Sequence, residues 1–185
     1  MKLTEKTLES KTMFTGKIIT VKLDTALLEN GAQASREVVL HPGGSCILPL
    51  DADGTVYTVR QFRYPFGRVL EELPAGKLDS PEEDPRETAI RELSEEIGAA
   101  ADEIIPLGDL MVSPGFSSEV VHGYLARGLH FGKQHLDPDE FLNVERRTLP
   151  ELVDMVMRGE LTDGKSCAII LKAQEYLRRE KEGHA

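Results

Sequence analysis

The sequence predicts a layered α/β or α+β domain preceded by a small β appendage. Strand-like runs with turn signals between them fill the first third of the chain, and strands interleave with helical patterns in the rest. Such interleaving is typical of sheets covered by helices. At 185 residues, the chain is a little longer than one typical domain, which fits one main domain and an appendage.

Two β-rich runs lie within residues 17–41 and are separated by Asn30-Gly31. An Asn-Gly pair between such runs predicts a hairpin with a type I′ turn, which needs positive φ at both central positions. A His-Pro-Gly-Gly stretch then interrupts the pattern. We therefore expect an appendage at 1–43 and the main domain at 44–185.

The main domain is expected to begin with a second hairpin and to end with two amphipathic helices. The expected elements are a hairpin turn at 51–54, a helix at 85–97, strands near 103–112, 118–127 and 140–146, and helices at 148–158 and 165–180.

Composition and charge limit the function. The hydrophobic fraction is 40% and the charged fraction 29%, which is typical of a folded globular protein. The net charge is −10, which repels nucleic acid and anionic membranes, so we expect neither as a partner. A phosphorylated substrate is also repelled unless cations are recruited to the site.

The sequence shows no targeting or membrane-spanning signal. No apolar run approaches the roughly 20 residues that span a membrane, and the first ten residues lack the apolar stretch of a signal peptide. Cys46 and Cys167 have no ligand-like spacing and are expected to be reduced thiols. We therefore expect a cytoplasmic protein.

The helix at 85–97 is the most clearly specified element. Asp84 is a suitable N-cap, and Glu87 stands where a capping box needs it. Pro85 suits the first helical position. Gly98 can take the left-handed conformation that ends helices.

This helix carries three carboxylates beside its apolar stripe: Glu92, Glu95 and Glu96. Like charges at i,i+4 destabilise a helix by roughly 0.2–0.5 kcal/mol, and Arg91 relieves only part of this by pairing with Glu87 and Glu95. A solvated acidic face would explain the cluster. However, a Pro-Ala-Gly turn upstream leads into a loop able to cover it, and oxygen ligands suit Mg²⁺ or Mn²⁺.

The segment 76–98, GKLDSPEEDPRETAIRELSEEIG, resembles the Nudix box, Gly-x5-Glu-x7-Arg-Glu-apolar-x-Glu-Glu-x-Gly-apolar. The matching positions are Glu83, Arg91, Glu92, Leu93, Glu95, Glu96, Gly98 and Ala99. The loop after Gly76 carries one extra residue. Taking Glu82 as the box glutamate would move that residue into the helix and rotate its faces by ~100°, whereas a loop insertion costs little.

The resemblance implies an α/β/α sandwich with a mixed sheet, and Mg²⁺-dependent hydrolysis of a nucleoside diphosphate linked to another group. The implied metal ligands are the carboxylates of Glu92, Glu95 and Glu96 and the backbone carbonyl of Ala75. By the same resemblance, Arg91 orients the glutamates and Glu83 supports Arg91. The number of metal ions is left open.

Residues 60–64 (RQFRY) and 71–76 (EELPAG) resemble the strand and loop that precede the box in the branch acting on ADP-ribose and nucleotide sugars. The resemblance implies that Arg63 contacts the diphosphate, which a guanidinium binds bidentately. Glu72 is either the exposed face of a strand or a group that reaches the metal cluster or the terminal sugar.

The turn Ser113-Pro114-Gly115, followed by Glu119, resembles the same branch. Pro114 lies sixteen residues after Gly98, the spacing that marks ADP-ribose hydrolases within the family. We assign Ser113, Gly115 and Glu119 to substrate binding. The tripeptide is also an ordinary tight turn, and the GDP-mannose hydrolase branch shares it.

The acidic loop at 137–144 resembles the family's catalytic loop. In that reading, Glu140 is the general base or the ligand of an extra metal that activates water. In this branch the N-terminal strands also pack between subunits, so we expect a homodimer in which Arg36 approaches the substrate. The chain has no Trp, which leaves Phe14 and Tyr64 as unranked candidates for stacking on the base.

The sequence therefore predicts an ADP-ribose pyrophosphatase activity that yields AMP and ribose 5-phosphate. One alternative keeps the reaction and changes the substrate to GDP-mannose or another nucleoside diphosphosugar. An alternative of another class is a catalytically silent module that binds ADP-ribose for regulation, although three intact box glutamates argue against it.

Overall fold

The computed structural model describes residues 2–80 and 82–183. The chain divides into two compact units, each with its own sheet. The first comprises Met1–Gly43 and Met111–Val120, and the second comprises Gly44–Leu110 and Val121–Ala185. Within the described ranges, no helix has both the length and the apolar character needed to cross a membrane.

The first unit contains an antiparallel sheet in the order β1-β2-β3, formed by β1 (Lys6–Thr15), β2 (Thr20–Leu27) and β3 (Gln33–Leu40). The predicted hairpin is the β2–β3 pair. Its turn is not type I′, because Gly31 has a φ of 83° while Asn30 does not have a positive φ. The Leu28–Ala32 hydrogen bond at 2.8 Å closes a three-residue loop, which requires only one left-handed residue.

Strand β1 was not expected from the sequence. All ten of its residues are exposed, so it lacks the alternation of apolar and polar residues that signals a half-buried strand. Among the described apolar residues of this unit, only Ala26 is buried.

The second unit contains a mixed sheet in the order β10-β5-β4-β9-β8, with β6 paired to β5 and β7 paired to β4. β4 runs parallel to β9 but antiparallel to β5 and β7. The strands are β4 (Gly44–Leu50), β5 (Thr55–Arg63), β6 (Arg68–Glu72), β7 (Ala75–Lys77), β8 (Ala99–Met111), β9 (Val120–Phe131) and β10 (Leu142–Thr148).

Helices pack on both faces of this sheet: α1 (Pro85–Ile97) on one, and α2 (Leu149–Met157) with α3 (Gly164–Lys181) on the other. Successive residues of β4 show this, since Ile47 packs in the α1 cluster while Leu48 packs in the α2–α3 cluster. The predicted α/β/α sandwich with a mixed sheet is confirmed, and the predicted helix at 85–97 is α1.

The predicted ends of α1 are confirmed, but the roles expected of Glu87 are not. Asp84 caps it by accepting a hydrogen bond from the Arg86 N–H at 2.9 Å, and Gly98 has a φ of 67°. The expected roles of Glu87 in a capping box and as a partner of Arg91 are wrong. Its side chain is exposed and pairs with Arg86 at 3.4 Å.

Candidate active site

Two carboxylates of α1 lie against strand β7, which carries Ala75 and Gly76. Glu92 is 7% exposed and Glu96 is 1% exposed. The Ala75 N–H donates to Glu96 Oε2 at 3.2 Å. A Cβ at Gly76 would lie 1.9 Å from Glu92 Oε1, so the absence of a side chain there lets the carboxylate approach the β7 backbone.

Arg91 lies beside these carboxylates and forms hydrogen bonds both to them and to the preceding backbone. Its Nη1 donates to Glu92 Oε1 at 2.7 Å and to Glu95 Oε2 at 3.2 Å. Its Nη2 donates to the Lys77 carbonyl at 3.2 Å and lies 3.8 Å from Glu83. Arg91 therefore ties the carboxylate helix to the loop that precedes it.

The buried carboxylates resist ionisation. Burial is the main cause that raises the pKa of Glu92 to about 7. Burial, followed by the negative charges of Glu92 and Glu140, raises the pKa of Glu96 well above its usual value. A divalent cation would remove this repulsion and is a hard ion that prefers oxygen ligands, so the residues fit such an ion.

The expected metal ligands do not form a ready-made cluster in the part of the chain that the structure describes. Among the described residues, no group of three or more His, Cys, Asp or Glu side chains has the arrangement of a metal site. The carboxylates of Glu92 and Glu95 both accept hydrogen bonds from the Arg91 guanidinium. A metal ion would have to compete with Arg91 for these oxygens.

Glu72 does not lie where a substrate could reach it. It is 1% exposed, and it accepts hydrogen bonds from Arg63 Nε at 2.6 Å and Nη2 at 2.8 Å and another from Lys165. Burial alone would raise the pKa of Glu72, but these two cations lower it. The expected contact of Glu72 with a sugar or the metal cluster is therefore corrected: its carboxylate holds Arg63.

Lys165 was not singled out in the sequence. It lies in the first turn of α3, where the helix dipole disfavours a cation. Asp163, at 3.0 Å, and Glu72 compensate this. Although burial opposes the charge, Asp163 and Glu72 raise the pKa of Lys165. A lysine in the first turn, two residues after a capping Asp, was the available signal.

Glu140 and Arg63 belong to the same region as the buried carboxylates. The Gln61 side chain, which the sequence did not single out, donates to Glu140 Oε1 at 3.1 Å. Burial, and then Asp137, raise the pKa of Glu140. The charge of Arg63 acts in the opposite direction on the pKa values of both Glu140 and Glu96. Arg63, Glu96 and Glu140 are therefore close enough in the second unit for the charge of Arg63 to act on both carboxyl groups.

The other predicted substrate-binding residues belong to the first unit. Arg36 pairs with Glu5 at 2.6 Å. The Ser113 carbonyl accepts the Ser117 N–H at 2.9 Å in a turn, where a Cβ on Gly115 would meet no atom within 4 Å. Glu119 lies 3.7 Å from His41.

The chain is similar in sequence to several proteins over most of their length. It is 39% identical over 183 residues to an ADP-ribose pyrophosphatase of Bacillus subtilis, covering 97% of this chain and 98% of the relative. It is 35% identical over 178 residues to a methanol dehydrogenase activator of Bacillus methanolicus, covering 94% and 96%. It is 38% identical over 167 residues to an ADP-ribose pyrophosphatase of Mycobacterium tuberculosis, covering 89% and 81%.

The fold is also found among solved structures. The crystal structure of an ADP compounds hydrolase superposes with a TM-score of 0.82 at 20% identity, covering 98% of this chain and 97% of the other. Residues 39–166 match the model of the NUDIX domain, and residues 5–39 match the nucleoside diphosphate sugar hydrolase N-terminal domain. The chain therefore belongs to the Nudix hydrolase family.

Proposed function

We propose that this protein hydrolyses the diphosphate of ADP-ribose to AMP and ribose 5-phosphate, with Mg²⁺ as the metal ion. Nudix hydrolases generally use divalent metal ions. The observation that carries the proposal is the pair of buried, mutually repelling carboxylates, Glu92 and Glu96, in the same unit as Arg63 and Glu140. The names of two relatives support ADP-ribose as the substrate.

The proposed metal ligands are Glu92, Glu95, Glu96 and the carbonyl of Ala75. When bound, a divalent ion supplies positive charge against the diphosphate oxygens and makes water more acidic. This answers the charge problem of a chain with a net charge of −10 that binds an anionic substrate.

Arg63 and Glu140 have separate tasks in the proposed reaction. With its Nε and Nη2 on Glu72, Arg63 is held in one orientation and can direct its remaining N–H groups at a phosphate. Glu140 accepts the proton of the attacking water. The water oxygen bonds to one phosphorus, the bond from that phosphorus to the bridging oxygen breaks, and the other phosphate leaves.

The proposal extends to a homodimer in the cytoplasm, in which Arg36, Ser113, Gly115 and Glu119 contribute to substrate binding. The first unit supports the dimer, because its exposed apolar side chains include Met13 (54%) and Phe14 (55%). A surface of this kind is typical of an interaction site.

A second candidate function is regulation without hydrolysis. One relative is named an activator of methanol dehydrogenase, and a ligand-binding module would keep the fold without the chemistry. The two candidates differ in one observable. Only the enzyme releases AMP from ADP-ribose when Mg²⁺ is added.

The test is a panel of substrates with Mg²⁺, scored by product identity: ADP-ribose, GDP-mannose, UDP-glucose, diadenosine polyphosphates and NADH. We expect the highest kcat/KM on ADP-ribose. A preference for GDP-mannose of about tenfold, equal to ~1.4 kcal/mol, would overturn the choice of substrate and leave the reaction class intact. Absence of any hydrolysis would favour the regulatory module.

A further inference from the structure

A short segment, Gly132 to His135, covers the C-terminal end of α1. The last carbonyls of a helix have no partner within the helix and need donors from elsewhere. Here the Gly132 N–H donates to the Gly98 carbonyl at 2.6 Å, and the His135 N–H donates to the Glu95 carbonyl at 3.1 Å. We call this segment the clamp.

One side chain of the clamp also donates a hydrogen bond to a carbonyl at this end of α1. Gln134 Nε2 donates to the backbone carbonyl of Glu96 at 2.5 Å. The same residue whose carboxylate lies against the Ala75 N–H is therefore held at its carbonyl by Gln134. Glu96 is thus bonded through its carboxylate to β7 and through its backbone carbonyl to the clamp.

The fit between clamp and helix is close. A Cβ added at Gly98 would lie 2.8 Å from the Gln134 nitrogen and 3.0 Å from the Lys133 carbonyl carbon. These are backbone atoms, which cannot move aside as a flexible side chain can. The clamp therefore packs on the helix end as well as bonding to it.

The clamp is also one end of the loop that carries Glu140. After His135 the chain makes a turn in which the Glu140 N–H donates to the Asp137 carbonyl at 3.0 Å, and strand β10 begins at Leu142. At its far end Glu140 is held by Gln61 of β5 at 3.1 Å. The loop is thus anchored to α1 at one end and to the sheet at the other.

We propose that Gln134 is a positioning residue that sets Glu140 relative to the carboxylates of α1. The proposal rests on the proposed function, in which Glu140 takes the proton of the attacking water. Removing the Gln134 amide takes away one of the three hydrogen bonds of the first anchor, while the backbone bonds of Gly132 and His135 and the second anchor remain. Small misplacements of a reacting group cost up to about 100-fold in rate, so weakening one of the two anchors is expected to lower kcat by about tenfold.

The experiment compares Gln134→Ala, Gln134→Lys and Lys133→Ala with the full-length wild type on ADP-ribose and Mg²⁺. Gln134→Ala should lower kcat by about tenfold and change KM less than about twofold. Gln134→Lys restores a donor at a helix C-terminus, where a cation is favoured, and should recover most of kcat. Lys133→Ala is the matched control, because Lys133 belongs to the same segment and its side chain is exposed.

Two further measurements separate positioning from a general structural role. In a Glu140→Gln background, Gln134→Ala should change kcat less than about twofold, because its effect passes through Glu140. Amide hydrogen exchange should rise in Gln134→Ala at Gly132 and His135 while the sheet stays protected. This exchange is read without substrate, so it decides whether Gln134 fixes the loop even if ADP-ribose proves not to be hydrolysed.

The proposal is overturned if Gln134→Ala keeps kcat within about twofold of wild type, or if exchange at the clamp is unchanged. It is also overturned if kcat and KM change together with a fall in Tm, since that pattern belongs to general destabilisation. By contrast, a wild type that releases no AMP refutes the proposed function and leaves the exchange result to decide the role of Gln134.

Discussion

At the residue scale, the proposed roles of Glu96 and Glu140 can be tested separately, as metal binding and as proton transfer. Mg²⁺ at about 100 times its Kd should stabilise the wild type by about 2.7 kcal/mol, a rise of roughly 5–11 °C in Tm. Glu96→Gln should abolish activity and most of this rise, because Glu96 is a proposed ligand. Glu140→Gln should lower kcat by about 100-fold or more and keep most of the rise. Thermal melts with and without Mg²⁺ at matched ionic strength, alongside rates, measure both.

These two variants serve as controls for each other, since each removes one carboxylate charge from the same region. A near-normal kcat in Glu140→Gln would mean that the base is another group, and Glu119 would be the next candidate. Loss of the Mg²⁺-induced rise in both variants would mean that Glu140 is itself a metal ligand.

Glu72 gives a prediction about pH. Its pKa is lowered in the folded state, so its ionised form stabilises the fold above the usual value of 4.5, and this contribution is lost as the pH falls through the lowered pKa. Removing one partner of a buried ion pair costs about 3–5 kcal/mol. Glu72→Gln should therefore be less stable than wild type at pH 7, and the difference should shrink below pH ~4.5.

Urea unfolding of both proteins from pH 7 to pH 3 measures this difference. Glu175→Gln is a matched control: its pKa is lowered to about 2 by Arg178 and Arg179, but it lies on the surface, where ion pairs contribute little. A constant difference between wild type and Glu72→Gln at every pH would show that the loss is one of packing and not of charge.

At the scale of elements, the approach of β7 to α1 depends on one glycine. A Cβ at Gly76 would lie 1.9 Å from the Glu92 Oε1 and 2.2 Å from its carboxyl carbon. Because these atoms end a flexible side chain, Gly76→Ala should displace the carboxylate and leave the backbone in place. We expect Mg²⁺ affinity to fall by about tenfold or more with little change in the Tm of the metal-free protein.

Isothermal titration with Mg²⁺ and melts in EDTA measure the two quantities. Gly164→Ala is the control, because a Cβ there would meet no atom within 4 Å. If Gly76→Ala binds Mg²⁺ as wild type does, the space between β7 and the Glu92 carboxylate accommodates a methyl group, and Glu92 is not confined by β7.

A comparison of α1 with β1 also shows which elements could be predicted from the sequence. α1 was predicted end to end, because a capping Asp84, a stop at Gly98 and an apolar stripe all agreed. β1 was not predicted, since its ten residues are exposed and mixed in polarity. The burial of Glu72 could not be predicted from the sequence, because its partner Lys165 lies 93 positions away on α3. Pairing between residues so far apart leaves no local pattern in the sequence.

The candidate site, too, could be predicted from the sequence only in part. The box spacing placed Glu92, Glu95 and Glu96 on one helix face. It could not show that Arg91 would divide its bonds between Glu92 and Glu95, because rotamers depend on what packs around them. Gln61 and Gln134 escaped notice for a related reason: an isolated Gln carries no motif, and only the folded chain reveals which carbonyl or carboxylate it meets.

At the scale of the whole molecule, the first unit makes assembly testable. Its sheet of three strands is small for independent stability, and Ala26 is the one buried apolar residue among those described in 2–43. We therefore expect a homodimer and loss of activity when residues 1–43 are removed. Sedimentation at micromolar concentration measures the first and hydrolysis of ADP-ribose the second. A monomer of 20.5 kDa, or full activity in the truncated chain, would contradict the dimer.

The bond between Glu72 and Lys165 has a consequence for synthesis of the chain. The two residues are 93 positions apart, and ribosomes add about 5–20 residues per second, so roughly 5–19 s separate their appearance. During that interval Glu72 has Arg63 and water as partners, and burying it would leave a charge half compensated. The nascent chain must therefore keep the end of β6 hydrated until α3 emerges. Arg63, made when about a third of the chain has been synthesised, acquires its final partners only when translation is nearly complete.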